Sequence, residues 1–317
     1  MRLFTYQHAG QARTGTELGG YIVDLNRAYR ASLQQGGNQE ELAVADVRVS
    51  PDMITLLSGG ATSLRGAREA IAYVESRLSQ SDTTLTKQQG ILTTPDQISY
   101  LSPVLRPSKV ICLGLNYRDH AAEAHMAVPD YPILFHKVAG SLTGHNQPIV
   151  IPRISDRIDY EGELAIIIGR KGKYISEEEA LEYVAGYTNA NDVSARDLQF
   201  RTSQWTTGKM LDTFGPLGPA LITCDEVPDP QALRITTILN GVTMQDATTA
   251  DMLFPVSFVV SYVSQIVTIE PGDVIMTGTP PGIGNTRTPP VYLKPGDSVS
   301  VEIERLGRLT NPVVAEE

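Results

Sequence analysis

The sequence predicts an α+β protein in which a small N-terminal α+β domain over residues 1–95 precedes a larger β-rich domain over residues 96–317. Two observations support this prediction. The first 95 residues combine short strand-like segments with helical periodicity, whereas the chain after residue 100 consists mainly of short β-branched segments separated by Pro and Gly. Few long helical patterns lie between those segments, which favours a sandwich, roll or barrel over a parallel α/β sheet.

The N-terminal elements follow from local patterns. Strands are predicted at "MRLFTYQ", "ARTGTEL" and "YIVDL", which are joined by turns that contain Gly. Helices are predicted at "LNRAYRASLQQ", "SPDMITLLSGG" and "SLRGAREAIAYVESRLSQ", with Ser50 and Pro51 as a start signal and Gly59 and Gly60 as a stop signal. The polar stretch "SQSDTTLTKQQG" fits neither pattern and is the predicted linker.

The C-terminal strands share β-branched composition and bounding turns. They are predicted at "KVICLGLN", "PIVIP", "ELAIIIG", "ALITCDEV", "LRITTILNG", "DVIMTGTP" and "SVSVEIERLG". Pro-Gly-Asp precedes a strand at residues 271–273 and again at residues 295–297, and both are interpreted as turns.

Composition excludes several classes of function. The 317 residues are 41% hydrophobic and 20% charged, as expected for a soluble globular protein, and the formal net charge is -10. This charge argues against nucleic acid or an anionic membrane as the main partner. No signal peptide or apolar run of membrane-spanning length is found, so a cytoplasmic location is expected. Cys112 and Cys224 are predicted to be buried free thiols, because their spacing fits neither a disulfide framework nor a zinc site.

One predicted strand begins with acidic residues. In "IDYEGELAIIIG", Asp159, Glu161 and Glu163 precede an apolar run without an intervening Lys or Arg. Because side chains alternate across a strand, Glu161 and Glu163 are expected on one face, roughly 7 Å apart. Three outcomes are open: an exposed sheet edge, which is common for such pairs, a salt bridge to distant basic residues, or shared coordination of a divalent cation.

A third carboxylate is available in "YTNANDVSARDLQ", where Asp192 ends a strand or lies in a tight turn ahead of a short helix near Ser194. The apolar run after Glu163 is typical of a strand covered on both faces, where an unpaired charge is costly. Three carboxylates without nearby Cys or His suit Mg²⁺ or Mn²⁺ better than Zn²⁺.

The segment "GLNYRDHAAEAHM" contains a candidate proton-transfer pair. If it forms a helical turn after "VICLG", His120 and Glu123 lie on one face. A carboxylate bonded to one imidazole nitrogen fixes the tautomer and makes the other nitrogen more basic. An exposed helix with an incidental contact is the alternative. Gly114 and Asn116 give the preceding stretch a loop-like character that suits a mobile lid.

Two further segments carry candidate substrate-binding groups. Arg196, Gln199 and Lys209 crowd behind the Asp192 segment and could donate to a carboxylate or carbonyl oxygen, although each alone is typical of a surface residue. The loop "TGTPPGIG" follows a strand but lacks the Gly-Lys-Ser/Thr of a nucleotide-binding loop. Its N–H groups could hold a small oxyanion, with Thr279 as a hydroxyl donor.

The order of these motifs resembles the fumarylacetoacetate hydrolase family. The matching motifs are N-Y-x-D-H-x-x-E, D-Y-E-x-E-L, N-D-x-S-x-R-D-x-Q, G-K-x-x-D-x-F-x-P-x-G-P and T-G-T-P-x-G, over about 200 residues from Lys109 to Gly307. The resemblance implies a mixed β-sandwich roll and a homodimer. It also implies that Mg²⁺ or Mn²⁺ is held by Glu161, Glu163 and Asp192.

By the same resemblance, His120, Glu123 and Lys209 are the expected catalytic residues. The expected substrate-binding residues are Arg196, Gln199, Thr279 and Ser141. The stretch "LFHKVAGSLTGHNQPIVIP" keeps Lys137 and Ser141 but departs from the F-x-K-P-x-S-S motif of many relatives, which leaves the preferred substrate open.

The resemblance implies a hydrolase that cleaves a carbon–carbon bond in acylpyruvate-type 1,3-diketo acids through a metal-stabilised enolate. In that reaction Glu123 orients His120, which deprotonates a water, while Lys209 and Thr279 stabilise the oxyanion. Two alternatives keep the same site and a 2-oxo acid substrate: oxaloacetate decarboxylation, and isomerisation of a 5-carboxymethyl-2-hydroxymuconate-type dienoate from aromatic catabolism. A catalytically silent binding protein is a further alternative.

Overall fold

A computed structural model describes residues 1–36, 44–82, 87 and 89–317. The N-terminal strands are β1 (Arg2–His8), β2 (Gln11–Leu18), β3 (Tyr21–Asp24), β4 (Leu92–Thr93) and β5 (Ser99–Tyr100), and the helices are α1 (Leu25–Gln35), α2 (Ala45–Arg48), α3 (Met53–Ser58) and α4 (Gly60–Ser79). The three predicted strands and three predicted helices are confirmed. Helix α4 follows α3 without a loop because Gly60 adopts a positive φ of +54°. The predicted linker over residues 79–90 lies partly outside the described residues.

The remainder of the chain is rich in strands. These are β6 (Val110–Gly114), β7 (Ile133–Lys137), β8 (Leu142–Thr143), β9 (Ile149–Ile151), β10 (Ile158–Asp159), β11 (Gly162–Ile168), β12 (Val184–Asn191), β13 (Ser194–Ala195), β14 (Gly215–Thr223), β15 (Arg234–Leu239), β16 (Val242–Thr248), β17 (Val274–Met276), β18 (Ser298–Ile303) and β19 (Gly307–Ala315). The helices here are α5 (Arg118–Glu123), α6 (Arg196–Gln199) and α7 (Val256–Ile266).

Most of these strands belong to two sheets. The main path of the larger sheet runs β4-β3-β2-β1-β14-β12-β11-β17-β6-β7, with β5 paired to β1 and β8 to β14. The smaller sheet has the order β16-β15-β18-β19-β9, and β10 pairs with β13. Both sheets are mixed, because β6 runs parallel to β17 and β9 runs parallel to β19 while most neighbours are antiparallel.

Strand β1 connects the N-terminal elements to the larger sheet. Arg2 and Leu3 pair with β14, whereas residues 4–8 pair with β2. The N-terminal strands therefore extend the sheet that carries the C-terminal strands. The division into domains at residues 95 and 96 stays a prediction.

Strand β11 lies between two apolar layers. Ala165 and Ile167 face a core shared with the N-terminal helices. Leu164 and Ile166 face a second core, which contains residues of α7 and of the smaller sheet. Because the two sheets pack through this second core, the arrangement is a β-sandwich with the N-terminal helices on the other face of the larger sheet. The structure confirms the α+β class and the prediction that β11 is covered on both faces.

The two thiols are free. Cys112 is buried as predicted, but Cys224 is only partly buried, because it begins a single 3₁₀ turn after β14 has left the core. Among the helices that the structure describes, none combines the length and apolarity needed to span a bilayer.

Candidate active site

Glu161, Glu163 and Asp192 meet in the interior, where β11 begins and β12 ends. The antiparallel register places Glu163 opposite Ala190, and the Asp192 amide donates to the Glu161 carbonyl oxygen at 2.9 Å. Each carboxylate has an oxygen within 4.8 Å of the other two. Their residues are 5%, 1% and 0% exposed, so the alternative of an exposed sheet edge is wrong.

Asp159 does not continue the same strand. It lies on β10, which pairs with β13, and residues 160 and 161 separate β10 from β11, which begins at Gly162. The acidic run seen in the sequence is therefore spread over β10, the connecting residues and β11. The carboxylate of Asp159 accepts hydrogen bonds from Arg196 and from the amides of Gly284 and Asn285.

Three basic side chains surround the triad. Lys209 Nζ donates to Glu161 Oε2 at 2.7 Å and to Asp192 Oδ2 at 2.8 Å. Lys137 Nζ lies 2.7 Å from Asp192 Oδ1, and Arg196 Nη1 lies 2.6 Å from Glu161 Oε1. Burial disfavours the ammonium of Lys209, but Asp192 and Glu161 outweigh this effect and raise its pKa, so that Lys209 carries a positive charge.

Glu163 is the member of the triad that has no basic partner in the described part of the chain. Its Oε2 accepts the Gly278 amide at 2.8 Å, whereas its buried Oε1 has no hydrogen-bond partner. Burial, together with the carboxylates of Asp192 and Glu161, raises the pKa of Glu163 well above its usual range. An anionic Glu163 therefore requires a further cation at this position.

The donor set fits Mg²⁺ or Mn²⁺. Together with Asp159, the triad gives four buried carboxylates. Among the described residues, three basic side chains form salt bridges with them, namely Lys137, Arg196 and Lys209. One negative charge is therefore left without compensation, and an orphaned carboxylate oxygen is available to a ligand. Both ions prefer carboxylate oxygens, and they retain coordination positions for water or substrate. Glu161 and Asp192 form salt bridges with basic side chains, as the second alternative from the sequence stated. Glu163 has no such partner among the described residues, and its free oxygen is consistent with the third alternative, a bound divalent cation.

Helix α5 holds the predicted proton-transfer pair. His120 Nδ1 lies 2.8 Å from Glu123 Oε1, and His120 is largely buried. Glu123 Oε2 accepts hydrogen bonds from the Gly282 amide at 2.9 Å and the Thr286 hydroxyl at 3.2 Å. Because Glu123 is held from the opposite side, it fixes the imidazole ring. His120 Nε2 is left as the nitrogen that can exchange a proton.

The Gly-rich loop donates its N–H groups to carboxylates of the protein. Besides the contacts of Gly278 and Gly282 with the two glutamates, Gly284 and Asn285 donate to Asp159 Oδ1 and Oδ2 at 2.8 and 2.9 Å. The loop therefore connects the triad, the His120–Glu123 pair and Asp159. Those amides are not free for the oxyanion role expected from the sequence.

A cavity of about 560 Å³ adjoins these groups. Its polar lining includes His120, Glu161, Arg196, Gln199 and Lys209. The apolar part is formed by Leu113, Leu115, Met126, Phe135, Phe200, Trp205 and Ile283. This volume and mixed lining are typical of a small-molecule site.

Two predicted substrate-binding residues differ from the expectation. Thr279 lines the cavity, but its hydroxyl donates to the Gly162 carbonyl oxygen and accepts from Gln245, so its proton is already used. Ser141 does not reach the cavity, because its hydroxyl donates to the Val138 carbonyl oxygen of its own turn.

Sequence reasoning missed Asp159 as a site residue. The Asp159 carboxylate is fully buried and accepts from Arg196 Nε at 2.8 Å and Nη2 at 2.7 Å. It thereby fixes the guanidinium whose third nitrogen contacts Glu161 and donates to Gln199. The absence of a basic neighbour in "IDYEGE" was the available signal that this carboxylate needs a distant cation.

The chain is similar to known proteins in both sequence and fold. The family model described as fumarylacetoacetate (FAA) hydrolase C-terminal matches residues 109–314. The rat protein named oxaloacetate tautomerase Fahd2a, mitochondrial, is 42% identical over 319 residues, which span 99% of this chain and 92% of that protein. The fumarylacetoacetate hydrolase of the psychrophile Exiguobacterium antarcticum matches all of both chains with a TM-score of 0.77 and 35% identity. The maleylpyruvate hydrolase of Sphingobium sp. SYK-6, solved with manganese(II) and pyruvate, matches all of both chains with a TM-score of 0.72 and 28% identity.

Proposed function

The chain belongs to the fumarylacetoacetate hydrolase family, and we propose that this enzyme interconverts the enol and keto forms of oxaloacetate or a similar 2-oxo acid. The rat relative named for oxaloacetate tautomerisation spans nearly the whole chain, which supports this choice of reaction. The observation that carries the proposal is the His120–Glu123 pair, which presents one imidazole nitrogen in a cavity that also reaches Glu161.

The proposed reaction is a proton transfer. In the direction of the keto form, the His120 imidazolium delivers its Nε2 proton to C3 while the enol oxygen releases its proton to solvent water, and neutral His120 then takes a proton back from water. In the reverse direction, neutral His120 accepts a proton from C3, the enolate oxygen takes a proton from water, and the imidazolium returns its proton to water. Glu123 keeps Nδ1 protonated in both directions, so a single nitrogen acts as acid and base.

The opposite end of the substrate is assigned to the acidic triad and its basic neighbours. Glu161, Glu163 and Asp192 would hold Mg²⁺ or Mn²⁺, which when bound supplies a Lewis acid that polarises the 2-oxo group. Lys209 gives two of its three N–H donors to carboxylates, so one donor remains for a substrate oxygen. Arg196 and Gln199 line the same part of the cavity and orient the substrate carboxylate.

The proposal is tested with enol oxaloacetate. Purified protein with Mn²⁺ is mixed with the enol, whose ultraviolet absorbance is followed against an uncatalysed control, while proton NMR in D₂O reports exchange at C3. Faster decay and faster exchange without release of pyruvate are expected. Decay that only accompanies formation of pyruvate and CO₂ would instead identify a decarboxylase.

A second candidate is the hydrolase predicted from the motifs, in which His120 activates a water that attacks an acylpyruvate. The observation that favours it is the cavity volume of about 560 Å³ with its apolar side, which accommodates a longer substituent than that of oxaloacetate. Incubation with fumarylpyruvate distinguishes the two candidates. Stoichiometric release of pyruvate and fumarate would favour the hydrolase, and an unchanged diketo acid would exclude this reaction for that substrate.

The homodimer and the cytoplasmic location remain part of the proposal. Light scattering of the protein as it elutes from a size-exclusion column tests the homodimer, and a mass of twice 34.4 kDa is the expected result. The location of the protein is tested by cell fractionation, since the name of the rat relative specifies a mitochondrial protein.

A further inference from the structure

The cavity contains one basic side chain that the proposed reaction does not use. Among the described residues, Arg196, Lys209 and Arg287 are the Lys and Arg side chains that line the cavity. The first two are in contact with carboxylates of the protein. Arg287 has no carboxylate oxygen within 4.0 Å in the part of the chain that the structure describes, so it is the one of these three cations that no carboxylate of the described residues contacts.

The contacts of Arg287 leave much of its donor capacity unused. Its Nη2 donates to the carbonyl oxygens of Met244 at 2.6 Å and Gly282 at 3.2 Å. Its Nε is buried and has no hydrogen-bond partner among the residues that the structure describes. A guanidinium offers five donors in a planar fork that matches a carboxylate, and a partly buried one without an anion is unfavourable. The side chain is thus anchored by backbone carbonyls and lies beside the Tyr160 hydroxyl, while no carboxylate of the described residues contacts its guanidinium.

The position of Arg287 relates it to the reacting atoms. Gly282, which accepts from Arg287, also donates its amide to Glu123 of the proton-transfer pair. Arg287 therefore lies on the side of the cavity that carries the pair, whereas Lys209 and Arg196 lie at the triad. A 2-oxo acid bound with its first carboxylate at the triad would direct its distal end toward the pair and Arg287.

We infer that Arg287 binds a second, distal carboxylate of the substrate and so selects dicarboxylic 2-oxo acids over monocarboxylic ones. This inference rests on the proposed function, because it takes the triad as the position of the 2-oxo end. Oxaloacetate, fumarylpyruvate and maleylpyruvate all carry such a second carboxylate, whereas simple aliphatic acylpyruvates do not.

Binding of two unreactive ligands tests the inference without turnover. N-oxalylglycine and N-propyloxamate share the carboxylate and adjacent carbonyl, but only the first ends in a second carboxylate, and neither has an enolisable carbon beside its 2-oxo group. Calorimetry with Mn²⁺-loaded protein measures both affinities in wild type, Arg287→Met and Arg287→Lys. Arg106→Met, at an exposed arginine outside the cavity, is the matched control. Thermal unfolding verifies that each variant is folded.

We expect Arg287→Met to weaken binding of N-oxalylglycine by about 10-fold to 100-fold, because one charge-assisted contact is lost, and to change binding of N-propyloxamate by less than about 2-fold. Arg287→Lys should retain part of the preference. Equal losses of affinity for both ligands would mean that Arg287 only holds the Met244 and Gly282 carbonyls, and would overturn the inference. Unchanged binding of N-oxalylglycine in Arg287→Met, or no binding of it by wild type, would overturn it as well. Failure of the proposed function has a different signature, namely selective binding without acceleration of oxaloacetate enol decay.

Discussion

Replacing His120 by Ala separates a catalytic role from a structural one. The imidazole makes one side-chain hydrogen bond, to Glu123 at 2.8 Å, on a helix of six residues at the cavity wall. Loss of that bond and of the limited packing should change the free energy of unfolding by only about 1 kcal/mol. Loss of the acid and base should slow the reaction by about 10²-fold to 10⁴-fold, which corresponds to about 2.7 to 5.4 kcal/mol in the activation free energy.

The assay for this variant is the decay of enol oxaloacetate in Mn²⁺, with urea unfolding measured on the same preparation. His136→Ala is the matched control, because His136 is exposed on β7 and lies outside the cavity. Glu123→Gln should show a smaller loss of rate than His120→Ala, since the amide preserves the shape but not the charge that stabilises the imidazolium. Full activity in His120→Ala, or an equal loss in His136→Ala, would refute the proton-transfer assignment.

Two further variants test other parts of the site, and a third experiment tests the partly buried thiol of Cys224 outside it. Glu163→Gln should abolish the rise in melting temperature that Mn²⁺ causes in wild type. It should leave the metal-free melting temperature unchanged or higher, because it removes a buried carboxyl whose raised pKa makes folding less favourable at neutral pH. Scanning calorimetry with and without Mn²⁺ measures both, and a preserved Mn²⁺ response would contradict this. Asp159→Asn should lower the free energy of unfolding, measured in urea, by about 3 kcal/mol, because Arg196 loses a charged partner. A change below about 1 kcal/mol would contradict the ion pair between Asp159 and Arg196. Burial raises the pKa of Cys224 to about 11. Its alkylation by iodoacetamide should therefore become about tenfold faster per pH unit between pH 7 and 10, because the thiolate fraction grows. Mass spectrometry measures the alkylation rate, and a rate independent of pH would contradict this prediction.

Local patterns were sufficient for much of the fold and for the grouping of buried carboxylates at the candidate metal site. The alternation of Glu161, Glu163 and the apolar run predicted that the two glutamates lie close together and that the strand is covered on both faces. The structure brings their carboxylates within 4.8 Å and covers β11 on both faces, although Glu161 precedes the strand. The three-residue spacing of His120 and Glu123 predicted their contact on a helix. These relations depend on the period of a strand or a helix, which a sequence contains directly.

Local sequence patterns do not specify contacts between residues that are distant in the sequence. Asp159 bonds to Gly284 across 125 positions, and nothing in either segment specifies the other. The Gly-rich loop was expected to offer amides to a ligand, but the fold positions carboxylates of the protein against them. Helix α7 was also not predicted, because its β-branched sequence "VSFVVSYVSQI" favours a strand by propensity, while burial of one apolar face stabilises the helix.

We propose that the buried triad and the His120–Glu123 pair together catalyse a metal-dependent proton transfer on a 2-oxo acid. The decisive experiment measures the initial rate of enol oxaloacetate decay with wild-type protein in Mn²⁺, and repeats it after EDTA treatment and after restoration of Mn²⁺. We expect acceleration that disappears with EDTA and returns with the metal. A rate equal to the uncatalysed control in Mn²⁺, or acceleration that persists in EDTA, would contradict it.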